Sequence, residues 1–299
     1  MKKKNLPLQG LLYFYKAASL GSFKSAAKEL FVSPAAVSQQ IRKLEETLDT
    51  DLFTRGHRSI QMTTLGEELF KEVKQGFSHL QAGVDALNDD QEPYKLKISA
   101  QSSFAHSWLI PRLQGFRDLF PEISILIEPT NRLTLPNDTG IDLCVRFGLG
   151  QYPGMHSEWL MTDSVYPVCN PHYQQQYDVY HLNDLHKWQL IEDANTDVSW
   201  SCWLKQIGRE AMVPSLMFDG SPDGSQYVLE SALAMQGIAL VKHSLAHRYV
   251  NNGTLVRIGE QALKPECSYF LCLPEKHLKR HKVNLFITWL KEQVDIFTS

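Results

Sequence analysis

Residues 22–45 read SFKSAAKELFVSPAAVSQQIRKLE, and they determine the fold of the N-terminal part of this 299-residue chain. Two amphipathic helices are predicted, because apolar residues recur every three or four positions on both sides of the short segment 31–33. Ser33 is a favourable N-cap, and Pro34 suits the first turn of a helix, where its missing N–H would have no partner. The expected buried positions are Phe23, Ala26, Ala27 and Leu30 before the turn and Val37, Ile41, Leu44 and Leu48 after it. The stretch therefore predicts a helix-turn-helix.

The outward face of the second helix is unlike an ordinary solvated helix face, which is rich in Glu and Lys. Small and amide side chains with one arginine occupy positions i, i+3, i+4 and i+7, namely Ala35, Ser38, Gln39 and Arg42. Small residues allow close approach to the floor of a DNA major groove, Gln can bond adenine bidentately, and Arg can bond guanine or phosphate. Together with Ser33 and Pro34 at the helix start, these four residues are predicted to contact DNA.

The flanking segments complete a winged helix-turn-helix. Upstream, a first helix is predicted from the helical spacing of Leu8, Leu11, Leu12 and Tyr15. Downstream, residues 52–63 form two short extended runs around Gly56 and His57, with Arg55 and Arg58 on either side. Such a wing would bring both arginines to phosphates or to the minor groove. An ordinary basic hairpin is the alternative.

A long helix is predicted to follow the wing. Thr64 to Glu67 has the form of a capping box, and the apolar stripe that follows consists of Leu65, Leu69, Val73, Phe77, Leu80, Val84 and Leu87. The small head offers this stripe no obvious partner, which favours pairing with the same helix of a second copy. Packing against the body of its own chain is the alternative.

Charge is distributed unevenly along the chain. The net charge of −3 divides into +5 for residues 1–64 and −8 for the remainder, and a basic head on an acidic body is typical of a head that binds a polyanion. A chance surface imbalance is the alternative. The composition, with 43% hydrophobic residues, excludes a collagen-like or disordered chain. Five scattered cysteines without a CxxC pair argue against a disulfide framework or a zinc site.

The motifs together resemble the DNA-binding head of LysR-type transcriptional regulators. The resemblance covers about the first 66 residues, including residues 52–55, Arg58, Thr63 and Gly66. Two positions depart from the common pattern: Pro34 stands where many members carry a polar residue, and Gln39 where some carry Arg. The resemblance implies a dimerising linker helix, an effector domain similar to periplasmic binding proteins, no cofactor, and self-association as dimers and dimers of dimers on an inverted-repeat operator. RNA polymerase is a further expected partner.

The remainder of the chain predicts an α/β fold. Short apolar runs at residues 96–100, 123–127, 140–148, 165–169, 237–241 and 269–273 alternate with helical patterns, which indicates mostly parallel sheets. The family plan then divides the chain into a winged helix-turn-helix (1–64), a linker helix (65–89), a first effector subdomain (94–166 with 268–299) and a second (167–267). A helical pattern is expected to continue from Ser103 through Trp108, Leu109 and Leu113.

Details of the body narrow the resemblance to the branch that contains glycine-cleavage activators, D-serine deaminase activators and β-lactamase regulators. The segments concerned are 103–113, 140–143 and 167–171. This branch implies an effector such as an amino acid or a muropeptide. The effector itself is not determined by the sequence.

The carboxyl ends of strands indicate where such an effector would bind. Ser102 and Ser103 stand at a strand end and a predicted helix start, where free N–H groups favour a small anion; plain N-capping is the alternative. Ser221 lies in the corresponding loop of the second subdomain. Tyr269 could supply a phenol to the cleft or be a core residue, and Arg146 could bind an anion or pair internally with a carboxylate such as Asp142. Thr196 and Trp200 are weaker candidates.

Other functional classes are less well supported by the sequence. Common nucleophile-elbow, zincin, P-loop and dinucleotide-binding motifs are missing, so neither catalysis nor a metal site is expected. A solute-binding protein without DNA function would need an export signal and no basic head. No run approaches the ~18 apolar residues of a membrane span, so a cytoplasmic protein without membrane contact is expected.

Overall fold

The computed structural model describes residues 6–54, 60–86, 90, 92–130, 140–193, 199–209, 213, 215–218 and 224–299. The chain divides into two compact units, Met1–Leu87 and Asn88–Ser299. Among the described residues, none of the helices combines the length and the apolar character that crossing a membrane requires. All five cysteines are free thiols.

The first unit is a winged helix-turn-helix followed by a long helix. Its helices are α1 (Leu8–Leu20), α2 (Phe23–Glu29), α3 (Pro34–Leu48) and α4 (Thr64–Ala86). Strands β1 (Phe53–Thr54) and β2 (Gln61–Met62) form an antiparallel pair. The Glu45 carboxylate accepts hydrogen bonds from the backbone N–H groups of Leu52 (2.8 Å) and Phe53 (3.2 Å), which fastens the start of the wing to α3.

The core of the head lies between α1, α2 and α3. Its buried residues include Leu11, Phe14, Ala17, Ala26, Ala27, Val37, Ile41, Leu44 and Leu52. One sequence expectation is wrong here, because Leu48, which was expected to be buried, is 37% exposed. Leu8, the first residue of α1, is 53% exposed. The first helix turns Gly10 toward α3, where an added Cβ would stand 3.2 Å from that of Leu44, so Leu11 and Phe14 enter the core instead of Leu8. Leu48 is the last residue of α3 and lies beyond the core.

The apolar stripe of α4 has a partner within its own head, contrary to the sequence expectation. Val73 belongs to the buried core of the head, and Leu69, Phe70 and Phe77 pack against that core. Tyr15 stacks on Phe77 with ring centroids 5.5 Å apart. Three other described residues of the stripe are exposed: Leu65 (56%), Leu80 (58%) and Val84 (52%). The middle of the stripe therefore packs against the core of the head, whereas the described stripe residues on either side of it are exposed.

The second unit contains two five-stranded sheets, which we call the first and second lobes. The first lobe has strands in the order β4 (Ser124–Pro129), β3 (Lys95–Ala100), β5 (Leu143–Gly148), β12 (Ser268–Leu273) and β6 (His156–Met161). Strand β3 is parallel to both neighbours, whereas β12 is antiparallel to β5 and β6. Its longer helices are α6 (Leu113–Leu119) and α11 (His281–Thr298), and α11 covers the core with Phe286 and Leu290.

The second lobe has strands in the order β11 (Val256–Arg257), β7 (Val165–Cys169), β10 (Ile238–Lys242), β8 (Leu190–Asp193) and β9 (Leu216–Phe218). Strand β10 runs parallel to β8 and antiparallel to β7. The helices are α7 (Pro171–Tyr177), α8 (Trp200–Gln206), α9 (Gly224–Leu233) and α10 (His243–Asn251). A 3₁₀ turn spans Leu182–Lys187, and Trp188, Trp200 and Trp203 pack together in one core cluster.

The chain passes between the lobes twice, after β6 and before β12. The first crossing lies between Met161 and Val165. Val165 and Tyr166 pair with Lys242 and Val241 in the second sheet. The crossing itself is held by Asp163, which is buried and accepts a hydrogen bond from the Ser164 N–H.

A buried ionic cluster joins the start of the second unit to its last helix. The Lys282 ammonium lies 2.9 Å from the Asp90 carboxylate and 3.1 Å from that of Asp142, and it donates to the carbonyls of Glu92 and Lys95. Arg280 binds the other oxygen of Asp142 at 2.6 Å. Since Lys282 is 3% exposed, this cluster fixes residues 90–95 against α11.

Candidate functional site

The DNA-facing candidates from Ser33 to Arg42 lie at the start and along the outward face of α3, and local sequence determines where this helix begins. Ser33 has extended backbone angles, and its Oγ accepts a hydrogen bond from the Ala36 N–H at 3.2 Å. Pro34 occupies the first turn. Ser22 caps α2 in the same way, with its Oγ 3.2 Å from the Ser25 nitrogen. The two caps fix where α2 and α3 begin, and therefore which side chains of α3 point outward.

The outward face of α3 is presented as the sequence indicated. Ser33, Pro34, Ala35, Gln39 and Arg42 are exposed, and Ser38 is half-buried. The opposite face is anchored by Val37, Ile41 and Leu44, all at most 2% exposed. A rigid helix with small and amide side chains outward fits a major groove, whose width of about 12 Å admits one helix. The wing arginines Arg55 and Arg58 lie outside the described residues.

The two serine candidates of the first lobe follow β3. Ser102 is half-buried and Ser103 is buried, and they begin the three-residue helix α5 (Ser102–Phe104). The expected continuous helix is interrupted, because a π-helical turn (Ala105–Leu109) and a 3₁₀ turn (Ile110–Arg112) separate α5 from α6. Pro111 has no N–H to donate to a regular helix. Single π turns are often found at functional sites.

Tyr269 is a fully buried residue of β12 and not a side chain lining an open cleft. Its ring packs between Phe104 (4.4 Å between centroids) and Phe147 (4.9 Å). Its hydroxyl lies 3.3 Å from Ser244 Oγ at the start of α10 in the second lobe. Burial raises the pKa of this phenol well above its ordinary value, so it remains a neutral hydrogen-bonding group that links the two lobes.

Arg146 is buried in β5 and has internal partners. Its guanidinium donates to Ser99 Oγ at 2.7 Å and to the Thr130 carbonyl at 3.1 Å. The suggested internal pairing with Asp142 is wrong, because that carboxylate binds Arg280 and Lys282. Ser221 and Thr196 lie outside the described residues. Trp200 is buried, and its indole N–H donates to the Ile191 carbonyl at 2.8 Å.

The sequence reasoning missed the junction formed by Asp163. This carboxylate accepts hydrogen bonds from Ser244 Oγ (2.5 Å) and from the Ser244 N–H (3.2 Å). Ser244 in turn reaches Tyr269, so one serine connects the crossing segment, the second lobe and a first-lobe strand. A buried Asp next to a strand crossing was the available signal, but only the fold brings it to Ser244, 81 positions away.

A second missed group lies at the carboxyl edge of the second sheet. Asp193 ends β8 and Lys242 ends the neighbouring parallel strand β10. Both line a cavity of about 20 Å³ together with Trp200 and Ser225. An added Cβ at Gly224 would come 2.4 Å from the Asp193 carboxyl carbon, so this carboxylate lies directly over the first residue of α9. The Lys242 ammonium stands 3.4 Å from the ring centroid of Phe147 in the first lobe.

A third contact between the lobes involves Arg112 and His247. The guanidinium of Arg112 donates to the Trp108 carbonyl (2.8 Å) and lies 3.2 Å from His247 Nε2. Burial, followed by the nearby positive charge of Arg112 and the neighbouring His243, lowers the pKa of His247 to about 4. His247 is therefore neutral at ordinary pH and accepts a hydrogen bond from the guanidinium at the lobe interface.

Both units of the chain match known protein families. Residues 8–67 match the bacterial regulatory helix-turn-helix model of the lysR family, and residues 89–295 match the LysR substrate binding domain. The chain is 31% identical to the glycine cleavage system transcriptional activator of Escherichia coli strain K12, over 97% of this chain and 94% of that protein. It is 30% identical to the transcriptional activator AmpR of Rhodobacter capsulatus, over 98% of this chain and 99% of that protein.

Among solved structures, the effector domain of the transcriptional regulator AmpR of Pseudomonas aeruginosa superposes with a TM-score of 0.58 at 25% identity. The match covers 67% of this chain and 95% of that one. The branch predicted from residues 103–113, 140–143 and 167–171 is confirmed by these relatives. The chain therefore belongs to the LysR family, and it is a DNA-binding transcriptional regulator with an effector-binding domain.

Proposed function

We propose that α3 reads the operator through Ala35, Ser38, Gln39 and Arg42, with Ser33 and Pro34 at its entry and Arg55 and Arg58 of the wing on the phosphates. The observation that carries this proposal is the contrast between the two faces of α3. One face is sealed by Val37, Ile41 and Leu44, and the other is exposed and lacks acidic side chains over its first three turns. A single helix of this kind positions each side chain against one base edge.

Gln39→Ala tests this reading. Loss of a bidentate contact should cost roughly 1–3 kcal/mol of discrimination at one base position, and affinity for random DNA should stay the same. The measurement is fluorescence anisotropy on a duplex selected from a random pool with the purified chain, compared with single-base variants of that duplex. An equal loss on selected and random duplexes would contradict base readout by Gln39.

The chain is proposed to act as a dimer, and as a pair of dimers, on an inverted repeat. Support comes from the exposed apolar positions Leu65 and Leu80 at the two ends of α4, which a second copy could cover. Two heads joined in this way would place their α3 helices in successive major grooves, about one helical turn apart. The division into a head (1–64), a linker (65–89) and two effector subdomains is part of this proposal, as is contact with RNA polymerase.

The effector is proposed to be an amino acid or a related small anion bound between the lobes. Asp193 and Lys242 support an amino acid, because they place opposite charges at the ends of adjacent parallel strands, where ligands of open α/β sheets bind. Ser102, Ser103 and Ser221 would supply hydroxyl groups. The buried Tyr269 and Arg146 would act through Ser244 and Ser99, their hydrogen-bond partners.

The cavity of about 20 Å³ that Asp193 and Lys242 line has room for about one water molecule, so binding of an amino acid there would require the site to open. A ligand shifts an equilibrium only through different affinities for its two states. The proposed switch is a change in the angle between the lobes, which alters the spacing of the two heads on DNA. Catalysis forms no part of this proposal, since the relatives are regulators.

A thermal-shift screen with L-amino acids, D-amino acids and cell-wall fragments tests the effector site. A ligand at about 100 times its dissociation constant stabilises the folded state by about 2.7 kcal/mol. The Ser103→Ala variant should lose this shift while its DNA binding in the absence of effector is retained. A shift that survives in this variant would place the effector elsewhere.

A further inference from the structure

Phe31, in the turn between α2 and α3, occupies a backbone conformation that suits glycine. Its φ is +55°, a left-handed value that is a genuine outlier for a bulky residue. The hydrogen bonds explain the value: the Val32 N–H donates to the Ala27 carbonyl (3.0 Å), and the Phe31 N–H to the Lys28 carbonyl (3.4 Å). These two bonds form a Schellman motif, which commonly places glycine at the position of Phe31.

The side chain of Phe31 adds almost no buried contact area to the folded head. It is 94% exposed, the highest value among the large apolar residues for which exposure is described. A ring in water adds no burial to the folded state, and the left-handed backbone disfavours that state relative to glycine. The backbone conformation therefore weakens folding, and the exposed ring does not compensate for it. The benefit of an aromatic residue here must therefore come from a partner outside the folded head.

The surroundings of Phe31 indicate which partner this is. Two residues later, Ser33 begins α3, and the first residues of a recognition helix are those that enter the groove. On the preceding helix, Lys24 and Lys28 are exposed one turn apart, and Lys28 accepts the Phe31 backbone hydrogen bond. An exposed apolar ring that follows a helix with two exposed lysines is complementary to a nucleic-acid backbone, which alternates phosphates with apolar sugar faces.

We propose that Phe31 packs against a deoxyribose at the edge of the major groove that α3 enters, while Lys24 and Lys28 bind the flanking phosphates. This rests on the proposed DNA face of α3. The contact carries no sequence information, because every nucleotide has the same sugar. It also releases no counterions, because the ring is uncharged. Phe31 thus adds affinity that is independent of both sequence and salt.

The test is Phe31→Gly, compared with Phe31→Tyr and Lys28→Ala, by anisotropy on the selected duplex and on random DNA at several salt concentrations. Phe31→Gly should bind both duplexes about tenfold more weakly, since a partly buried Phe contributes on that scale, with an unchanged slope of log K against log salt. Phe31→Tyr should bind like wild type. Lys28→Ala should reduce the slope by about one phosphate contact.

Stability gives an independent readout, because Phe31→Gly should melt at a higher temperature than wild type while binding DNA more weakly. A lower melting temperature would show that the ring supports the folded head, and it would overturn the proposal. Unchanged DNA affinity of Phe31→Gly would also overturn the proposal. If transcription activation were lost while DNA affinity stayed the same, the ring would bind a protein partner and not DNA. Gln39→Ala separates the two failures: if it weakens binding and Phe31→Gly does not, only the role of Phe31 is wrong.

Discussion

Helix α3 and the junction between the lobes assemble their polar groups in different ways. On α3, the candidates between residues 33 and 42 belong to one helix whose start is fixed by Ser33 and whose rotation is fixed by three buried aliphatic residues. At the junction, Asp163, Ser244 and Tyr269 come from three segments, and the hydrogen bonds that join them span 81 and 25 positions. The first surface follows from local rules, whereas the second exists only once both sheets are complete.

This difference predicts where the molecule tolerates change. A substitution of Ala35, Gln39 or Arg42 on the outward face of α3 should alter recognition and leave folding intact, because the side chains there are exposed. A substitution among the buried polar groups of the second unit alters folding and the lobe arrangement together. All six tryptophans lie after residue 107, so tryptophan fluorescence reports the second unit alone and allows the two regions to be measured separately.

The largest expected effect is Lys282→Met. It would leave the Asp90 and Asp142 carboxylates without their buried ammonium partner, and breaking a buried ion pair in this way costs about 3–5 kcal/mol. Urea unfolding followed by tryptophan fluorescence measures it. The control is Lys291→Met, whose pair with Glu158 is about half-exposed and should be worth at most ~1 kcal/mol. Equal effects of the two variants would show that the Lys282 cluster is solvated.

The second largest expected effect is a loss of stability of the second unit on acidification. The folded-state pKa of His247 is about 4, and burial also lowers those of His243 and His277. The unfolded chain binds protons at these sites from about pH 6.5 downward, so the second unit should lose stability as the pH falls from 7 toward 4. His247→Gln should flatten this dependence in tryptophan-monitored melting. A melting temperature that rises on acidification would contradict the buried, neutral state of His247.

The smallest expected effect is Ser33→Ala in the head. It removes the acceptor for the Ala36 N–H, and loss of such a cap typically costs about 1 kcal/mol. Hydrogen exchange of the α3 amides should accelerate accordingly, with no change in tryptophan-monitored unfolding of the second unit. Ser33→Asp retains an acceptor and serves as the control for stability. Slowed exchange, or a shift in the second unit, would contradict the local character of the cap.

Prediction from sequence succeeded where the governing interactions are short-range. Ser33 and Pro34 gave the start of α3 correctly, because each acts within three residues of itself. The same reasoning misjudged Leu48, because it could not show that the last residue of α3 lies beyond the packed core. The head was therefore predictable as a set of elements, and less so as a packed core.

In the second unit, residue types were identified more readily than their partners. Arg146 was left between binding an anion and pairing with a carboxylate such as Asp142, and sequence could not show that Arg280 and Lys282, more than 130 positions from Asp142, bind that carboxylate. Tyr269 was left between a cleft and a core position, and its place between Phe104 and Phe147 resolves the choice. Such pairings depend on strand order, which periodicity does not reveal.

The position of β12 has a consequence for synthesis on the ribosome. This strand lies between β5 and β6 in the first sheet, yet it is translated 107 residues after β6 ends at Met161. At about 5–20 residues per second, the first lobe lacks an inner strand for roughly 5–20 seconds while the head is already complete. During that interval two strands have unpaired edges, which are sites of misassociation. When many ribosomes translate this regulator at once, the incomplete first lobe should therefore misassociate before the head does.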